Sequence, residues 1–340
     1  MKILVVHSWG RTAVEMGNFC KSALEEIGHT VKLFTYNAER ISSRIPYFEK
    51  IEQKFIDHEL IKQIKNFKPQ LLLVIKGDRI PPSTIEKIRN KFDVFVANYW
   101  IDDPFSIEVS RRISKSYDYF FTNDPDCVRI HQESGCCRVE FISFGSAPHI
   151  HRKVELSKKD YEKYHSDICF AGTVTENRME ILEALSDFDL KVWSPRMILS
   201  LMGNYRFKEK KLPATSCLYH KFTDRAVWGQ ELVKVYNAAK IVINIHSPQP
   251  VPIMRDFEVT GCGAFLLTDR AKGLESMLSD KEEIVVYRNI DDLREKVNFY
   301  LGNTGEREDI AKKGLRRTSK DHTYVNRMRE LISFIEKDRY

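Results

Sequence analysis

Short, β-branched apolar runs alternate with amphipathic segments over the first half of the chain. Runs at Lys2–His7, Val31–Tyr36, Gln70–Lys76, Asp93–Asn98, Asp118–Thr122 and Arg138–Ser143 are brief and nearly continuous in their apolar character, which predicts strands buried on both faces. Between them lie helical patterns at Thr12–Ile27, Tyr47–Phe67 and Ser83–Phe92. In the second of these, Phe48, Ile51, Phe55, Leu60, Ile64 and Phe67 recur at roughly helical spacing. Thr12 and Ser83 are the expected N-caps, and Gly28 the stop of the first helix. This alternation predicts an α/β, doubly wound parallel sheet. The pattern breaks at Phe144–His149, and a charged segment runs to Ser166 without a strand signal. Strand signals resume at Ile168–Thr173, Asp189–Trp193, Ile241–Ile245, Ala264–Thr268 and Glu283–Tyr287, giving a second Rossmann-like series. The expected division is residues 1–148, a connection at 149–166, a second domain at 167–320, and a charged helical tail at 321–340.

The stretch Ile241–Asp269 organises the second half. Ile241 to Ile245 reads as a buried strand that ends in the Ser247/Pro248/Pro250/Pro252 break. Met254–Thr260 can form two helical turns before Gly261 and Gly263, and Ala264–Thr268 begins another strand. Ligands in open α/β sheets sit beyond the carboxyl ends of strands, where a helix start presents N–H groups to phosphate. Arg255 and Glu258, three apart, project from one helical face. A guanidinium suits a phosphate and a carboxylate suits paired ribose hydroxyls. The competing reading is an i,i+3 surface ion pair followed by a C-cap. The placement of the pair between two apolar strands favours a ligand site. Asn244 and His246 fall on the same rim of the strand, opposite Ile245.

Composition narrows the function classes. At 340 residues with 42% hydrophobic residues, two domains of ordinary size are expected. No apolar stretch reaches transmembrane length and the N-terminus has no export signal, so a cytoplasmic protein is expected. Seven scattered cysteines without C-x-x-C spacing argue against a disulfide framework or structural zinc. His131 and His149-x-His151 lack carboxylate or cysteine companions at ligand spacing, so no metal site is expected. A net charge of +6 spread over a mixed surface falls short of a nucleic-acid footprint and leans toward phosphates or an acidic membrane face. Neither G-x-G-x-x-G nor G-x-x-x-x-G-K-[ST] occurs, which argues against a dinucleotide oxidoreductase or a P-loop NTPase.

Three further constellations carry chemistry. Gly10, after the first strand, lets backbone approach a ligand, although a plain tight turn explains it nearly as well. Asn98-Tyr99-Trp100-Ile101-Asp102-Asp103-Pro104 places two carboxylates beside two aromatics at a strand end. Either carboxylate could take the proton of an attacking hydroxyl, and an Asp turn closed by proline is the equal alternative. Gly172-Thr173-x-Thr175 with Arg178 reads as a strand-to-helix turn capped by Thr175, with a cation one turn in.

The run Arg255-Asp256-Phe257-Glu258, Gly261-x-Gly263 and Phe265–Asp269 resembles the donor-site signature of the CgeB-like (spore maturation) glycosyltransferases of GT-B fold, related to the GT4-type group. The resemblance extends in order through Asp167–Thr173 with Arg178, Tyr236–Asn244, Gly273-Leu274-Glu275, Ile284–Asp292, His322-Thr323-Tyr324 and Arg327-Met328. It implies two Rossmann-like domains facing a central cleft, the last helix crossing back to the first. It also implies sugar transfer from a nucleotide diphosphate sugar to a hydroxyl-bearing acceptor (glycan, lipid-linked or protein) without metal or other cofactor. Donor contacts are then expected from Gly172, Arg178, Asn244, His246, Arg255, Glu258, Gly261 and Gly263. Trp9, Gly10 and Trp100 are expected on the acceptor side, and Asp102 and Asp103 as the catalytic pair. Peripheral membrane association is compatible with the charge. The broader GT4 group carries a second Glu eight residues before the ribose Glu; here that position is Pro250, so retention of configuration is not implied. A GT-B-like epimerase or polyol-phosphate transferase, or a non-catalytic nucleotide-sugar-binding module, are the alternatives.

Overall fold

A computed structural model describes residues 1–9, 15–37, 46–202, 206–246 and 250–337. Contacts divide the chain into two compact units, Met1–Ser143 with Tyr324–Tyr340, and Phe144–Thr323. Residues 149–166, expected as a connection, fall inside the second unit.

The first unit runs β1 (Lys2–Trp9), α1 (Met16–Glu26), β2 (Thr30–Asn37), α2 (Pro46–Phe67), β3 (Leu71–Ile75), α3 (Pro82–Lys91), β4 (Phe95–Trp100), α4 (Ile107–Ser114), β5 (Tyr119–Thr122), α5 (Pro125–Glu133) and β6 (Val139–Phe141). Its strands pair in parallel in the order β2-β1-β3-β4-β5-β6. Every residue of β3 is buried, as its unbroken apolar run requires. Ser83 does not cap α3: Pro81 takes the N-cap and Pro82 the first helical position, where a missing N–H leaves no bond unmade. Thr12 and Gly10 lie outside the described residues.

The second unit contains α6 (Lys158–Tyr164), β7 (Ser166–Ala171), α7 (Glu176–Glu183), β8 (Leu190–Trp193), β9 (Met197–Met202), β10 (Arg206–Lys211), α8 (Gly229–Ala238), β11 (Ala239–Asn244), α9 (Met254–Gly261), β12 (Leu266–Asp269), β13 (Val285–Tyr287), α10 (Ile290–Gly302) and α11 (Thr304–Asp321). Five strands form a parallel sheet, β13-β12-β11-β7-β8. From β7 the chain moves out to β8 and later returns to the other side as β11, so strand order reverses between β7 and β11. Their carboxyl ends form the crevice where such sheets take ligands. The antiparallel hairpin β9–β10 was not anticipated. It extends the turn after β7: the Leu199 N–H donates to the Val174 carbonyl at 2.9 Å, and Ser200 Oγ to Glu176 Oε1 at 2.6 Å.

The last helix, α12 (Tyr324–Lys337), belongs to the first unit and packs on α1, with the Tyr324 ring 5.4 Å from that of Phe19. The expected tail at 321–340 is thus broken at His322 and Thr323. Among the described residues no helix is long and apolar enough to cross a membrane.

Candidate functional site

The carboxyl ends of β7 and β11 bring together two arginines from separate elements. Gly172 follows β7 at φ +150°, and a Cβ built there would sit 2.4 Å from Arg255 Nη2, so only glycine lets the guanidinium lie against this backbone. Arg178, from α7, donates to the Thr173 carbonyl at 2.7 Å. Both guanidinium carbons lie 5.7 Å from the Phe170 ring. Arg255 Nη1 donates to Asn244 Oδ1 at 3.2 Å, while the Nε atoms of both arginines are buried without a partner. Neither has a carboxylate ion-pair partner among the described residues. Burial and the neighbouring Arg255 push Arg178 down to about 10. Two adjacent cations with open donors and no carboxylate within ion-pair distance among the described residues match a multiply charged anion.

Glu258 stands one turn beyond Arg255 but is not its surface partner. It is only 8% exposed, and burial, with Asp256 adding and Arg255 opposing, pushes its carboxyl up to about 7. Its neighbour across the packing interface is His151, Nε2 to Oε1 3.8 Å.

His246 and Asn244 act behind this face. The His246 ring lies between Asp256 (Nε2 to Oδ2, 2.8 Å) and Asp269 (Nδ1 to Oδ1, 2.6 Å). Burial alone would lower its pKa, but the two carboxylates outweigh it and raise His246 to about 9. Asp256 also accepts from Asn244 Nδ2 at 2.7 Å and from the Ile253 N–H at 2.9 Å, so one N–H at the start of α9 is already engaged. With both ring nitrogens occupied and 1% exposure, His246 is committed to its two carboxylates rather than turned toward the crevice. Asn244, fully buried, orients Arg255 instead.

His246→Phe is expected to cost roughly 3–5 kcal/mol, because Asp256 and Asp269 lose their shared cation. The folded pKa is raised, so this stabilisation is complete below the ordinary value of 6.5 and is lost as pH rises through about 9. Urea unfolding from pH 6 to 10 checks it: the gap between wild type and variant should narrow above pH 9.

A family model described as glycosyl transferase-like matches residues 178–333, which include Arg178, Arg255 and Glu258. The Bacillus subtilis (strain 168) spore protein CgeB is 25% identical over 283 residues, covering 78% of this chain and 83% of that protein. The chain is similar to the CgeB-like glycosyltransferases. Its fold is GT-B. Sucrose-phosphate synthase from Thermosynechococcus elongatus superposes with a TM-score of 0.66 at 11% identity, over 99% of each chain. Anabaena HepE, solved with UDP-glucose, gives a TM-score of 0.64 at 12% identity, over 99% of this chain and 100% of that one.

The remaining expected residues separate by burial. Asp103 is fully buried: it accepts from Ser110 Oγ at 2.7 Å and Thr122 Oγ1 at 2.8 Å, and lies 2.8 Å from His131 Nε2. With its oxygens so engaged it anchors its loop to α4, β5 and α5, and it has no path to a substrate proton. Trp100 is likewise fully buried, in the core with Leu72, Val74 and Phe120, and presents no face to an acceptor. Asp102 is one-third exposed and paired with Lys76 at 2.6 Å. Gly261 serves packing, a Cβ there falling 2.9 Å from Ser146 Cβ, and Gly263 adopts φ +65° after α9. Thr175 holds the N-cap position of α7 without a side-chain cap bond. Gly10, and the side chain of Trp9, lie outside the described residues.

Sequence reading weighed His151 only as a metal ligand and missed its place beside Glu258, since the segment that carries it has no strand signal and Glu258 lies far downstream. At the opposite, amino ends of β7 and β8, His165, Asp167 and Asp189 place ligand atoms within 4.8 Å of one another, but Lys240 already engages Asp167 at 2.7 Å. Asp103→Asn should destabilise the fold by about 3–5 kcal/mol. Asp102→Asn should change it by no more than about 1 kcal/mol, as for a part-exposed pair. Thermal unfolding of the two single variants distinguishes them; equal destabilisation would overturn the division of roles.

Proposed function

We propose that this glycosyltransferase takes a nucleoside diphosphate sugar on its second unit and transfers the sugar to a hydroxyl. The observation that carries the reading is the adjacent Arg178/Arg255 pair beside Gly172, with both buried Nε atoms unpartnered, one helical turn from the buried Glu258. The guanidinium groups would hold the diphosphate, and Glu258 would accept hydrogen bonds from the two ribose hydroxyls. In the transfer, the bond from the anomeric carbon to the diphosphate oxygen breaks and the acceptor oxygen bonds to that carbon. The acceptor proton leaves to a base. Charge growing on the departing diphosphate is met by the two arginines, so the reaction as proposed requires no metal ion or other cofactor. Asp102, the member of the carboxylate pair that solvent reaches, is our candidate for the proton acceptor. The acceptor is a glycan, a lipid-linked saccharide or a protein side chain. We place the reaction in the cytoplasm, with the +6 net charge favouring an anionic membrane face where the acceptor is lipid-linked.

Incubation with UDP-, GDP- and ADP-sugars, measuring binding and nucleotide release together, tests the reading. Release of nucleoside diphosphate that rises with added acceptor is expected. A product sugar still attached to its nucleotide would identify an epimerase instead.

A further inference from the structure

Glu258 is backed by a segment far away in sequence. Because Gly261 has no Cβ, residues 146–151 lie directly on α9; a Cβ there would meet Ser146 Cβ at 2.9 Å and His151 Cβ at 3.4 Å. A turn fixes the segment, with the His151 N–H donating to the Ala147 carbonyl at 2.7 Å. The Ala147 N–H in turn donates to His151 Nδ1 at 3.0 Å, so the ring proton resides on Nε2. Nε2 faces Glu258 Oε1 at 3.8 Å, and the two side chains are 3% and 10% exposed. Burial, with His149 adding, lowers His151 to about 4, which leaves a neutral ring with a fixed tautomer at physiological pH.

Resting on the ribose reading of Glu258, we propose that His151 is a positioning residue that sets donor affinity by donating its Nε2–H to Glu258. The gap is about 0.6 Å or more beyond hydrogen-bond range. A small movement of the carboxylate closes it when Glu258 ionises and ribose engages. One oxygen is then fixed by His151, and the plane of the carboxylate is set for the two hydroxyls. Gly261 enters the same device indirectly, as the position whose missing side chain admits His151.

The test measures UDP affinity by calorimetry from pH 6 to 8.5, with ADP and GDP in parallel. Variants are His151→Phe, which keeps ring volume without a donor, His151→Gln, which restores an N–H near the Nε2 position, Glu258→Gln, and the double variant His151→Phe/Glu258→Gln. Groups facing Glu258 are Arg255 and Asp256 from α9, Cys262 just after it, Tyr236 from α8, and His151, and only the last differs among the His151 single variants. His151→Phe should weaken nucleotide about tenfold and move the pH midpoint of binding upward, with His151→Gln recovering most of both. In the Glu258→Gln background His151→Phe should have no further effect. If His151→Phe binds like wild type, or weakens binding equally without Glu258, the inference fails while the ribose reading stands. If Glu258→Gln itself binds like wild type, the ribose reading is what fails. A purely structural His151 would lower the unfolding temperature in His151→Phe and leave the pH midpoint in place.

Discussion

Replacing Arg178 and Arg255 together by alanine is expected to weaken nucleoside diphosphate binding by about 10²–10⁴-fold. Hydrogen bonds to charged groups contribute roughly 1.5–3 kcal/mol each, and two guanidinium groups are removed. Turnover should fall further, by about 10²–10³-fold, because negative charge on the diphosphate grows as the sugar departs. Stability should move the other way or not at all. The two cations crowd one phenylalanine, have no carboxylate partner among the described residues, and leave buried Nε atoms unpaired. Removing them relieves repulsion within the free protein. Arg255→Lys gives the finer control, since it keeps the charge but loses the planar fork that Gly172 admits. Calorimetry and thermal unfolding on the same samples check both halves. Unchanged affinity in the double variant would remove the diphosphate from this crevice.

Glu258→Gln should produce the same opposition in a pH-dependent form. Binding to ribose needs the ionised carboxylate, so wild-type affinity should fall about tenfold for each pH unit below about 7, and the variant should show no such slope. Above pH 7 the variant should bind roughly tenfold to a hundredfold more weakly. For stability the sign reverses: a carboxyl raised from 4.5 to about 7 makes the free protein less stable as pH climbs through that window. The variant carries no charge there and should be more stable at pH 8, by up to about 3 kcal/mol. A variant that binds 2′-deoxynucleotide and nucleotide as unequally as wild type does would contradict the ribose contact.

The strand runs were legible because burial on both faces leaves a continuous apolar signature, as at Leu71–Ile75 and Ile241–Asn244. The hairpin β9–β10 was not, because Lys208, Glu209, Lys210 and Lys211 hide its second strand under charge, although Gly203-Asn204 between the two halves is a turn signal. At the site, Gly172, Arg178, Arg255 and Glu258 could be chosen because motif and residue chemistry point the same way. Asp102 and Asp103 are adjacent and chemically identical, and only the fold shows that one faces Ser110, Thr122 and His131 while the other reaches solvent. His246 illustrates the same limit from the other side: its two carboxylate partners lie ten and twenty-three residues downstream, a distance at which no local pattern exists.

The last helix also makes the two units unequal in how they can be cut. Tyr324, Val325, Met328, Leu331, Ile332 and Ile335 are buried, and they complete a unit whose other residues are Met1–Ser143. The second unit is one contiguous segment, whereas the first is closed by a segment separated from the rest of it by the whole of the second. Cutting the chain before Tyr324 therefore leaves the second unit's sheet whole and strips an apolar face of α1 of its cover.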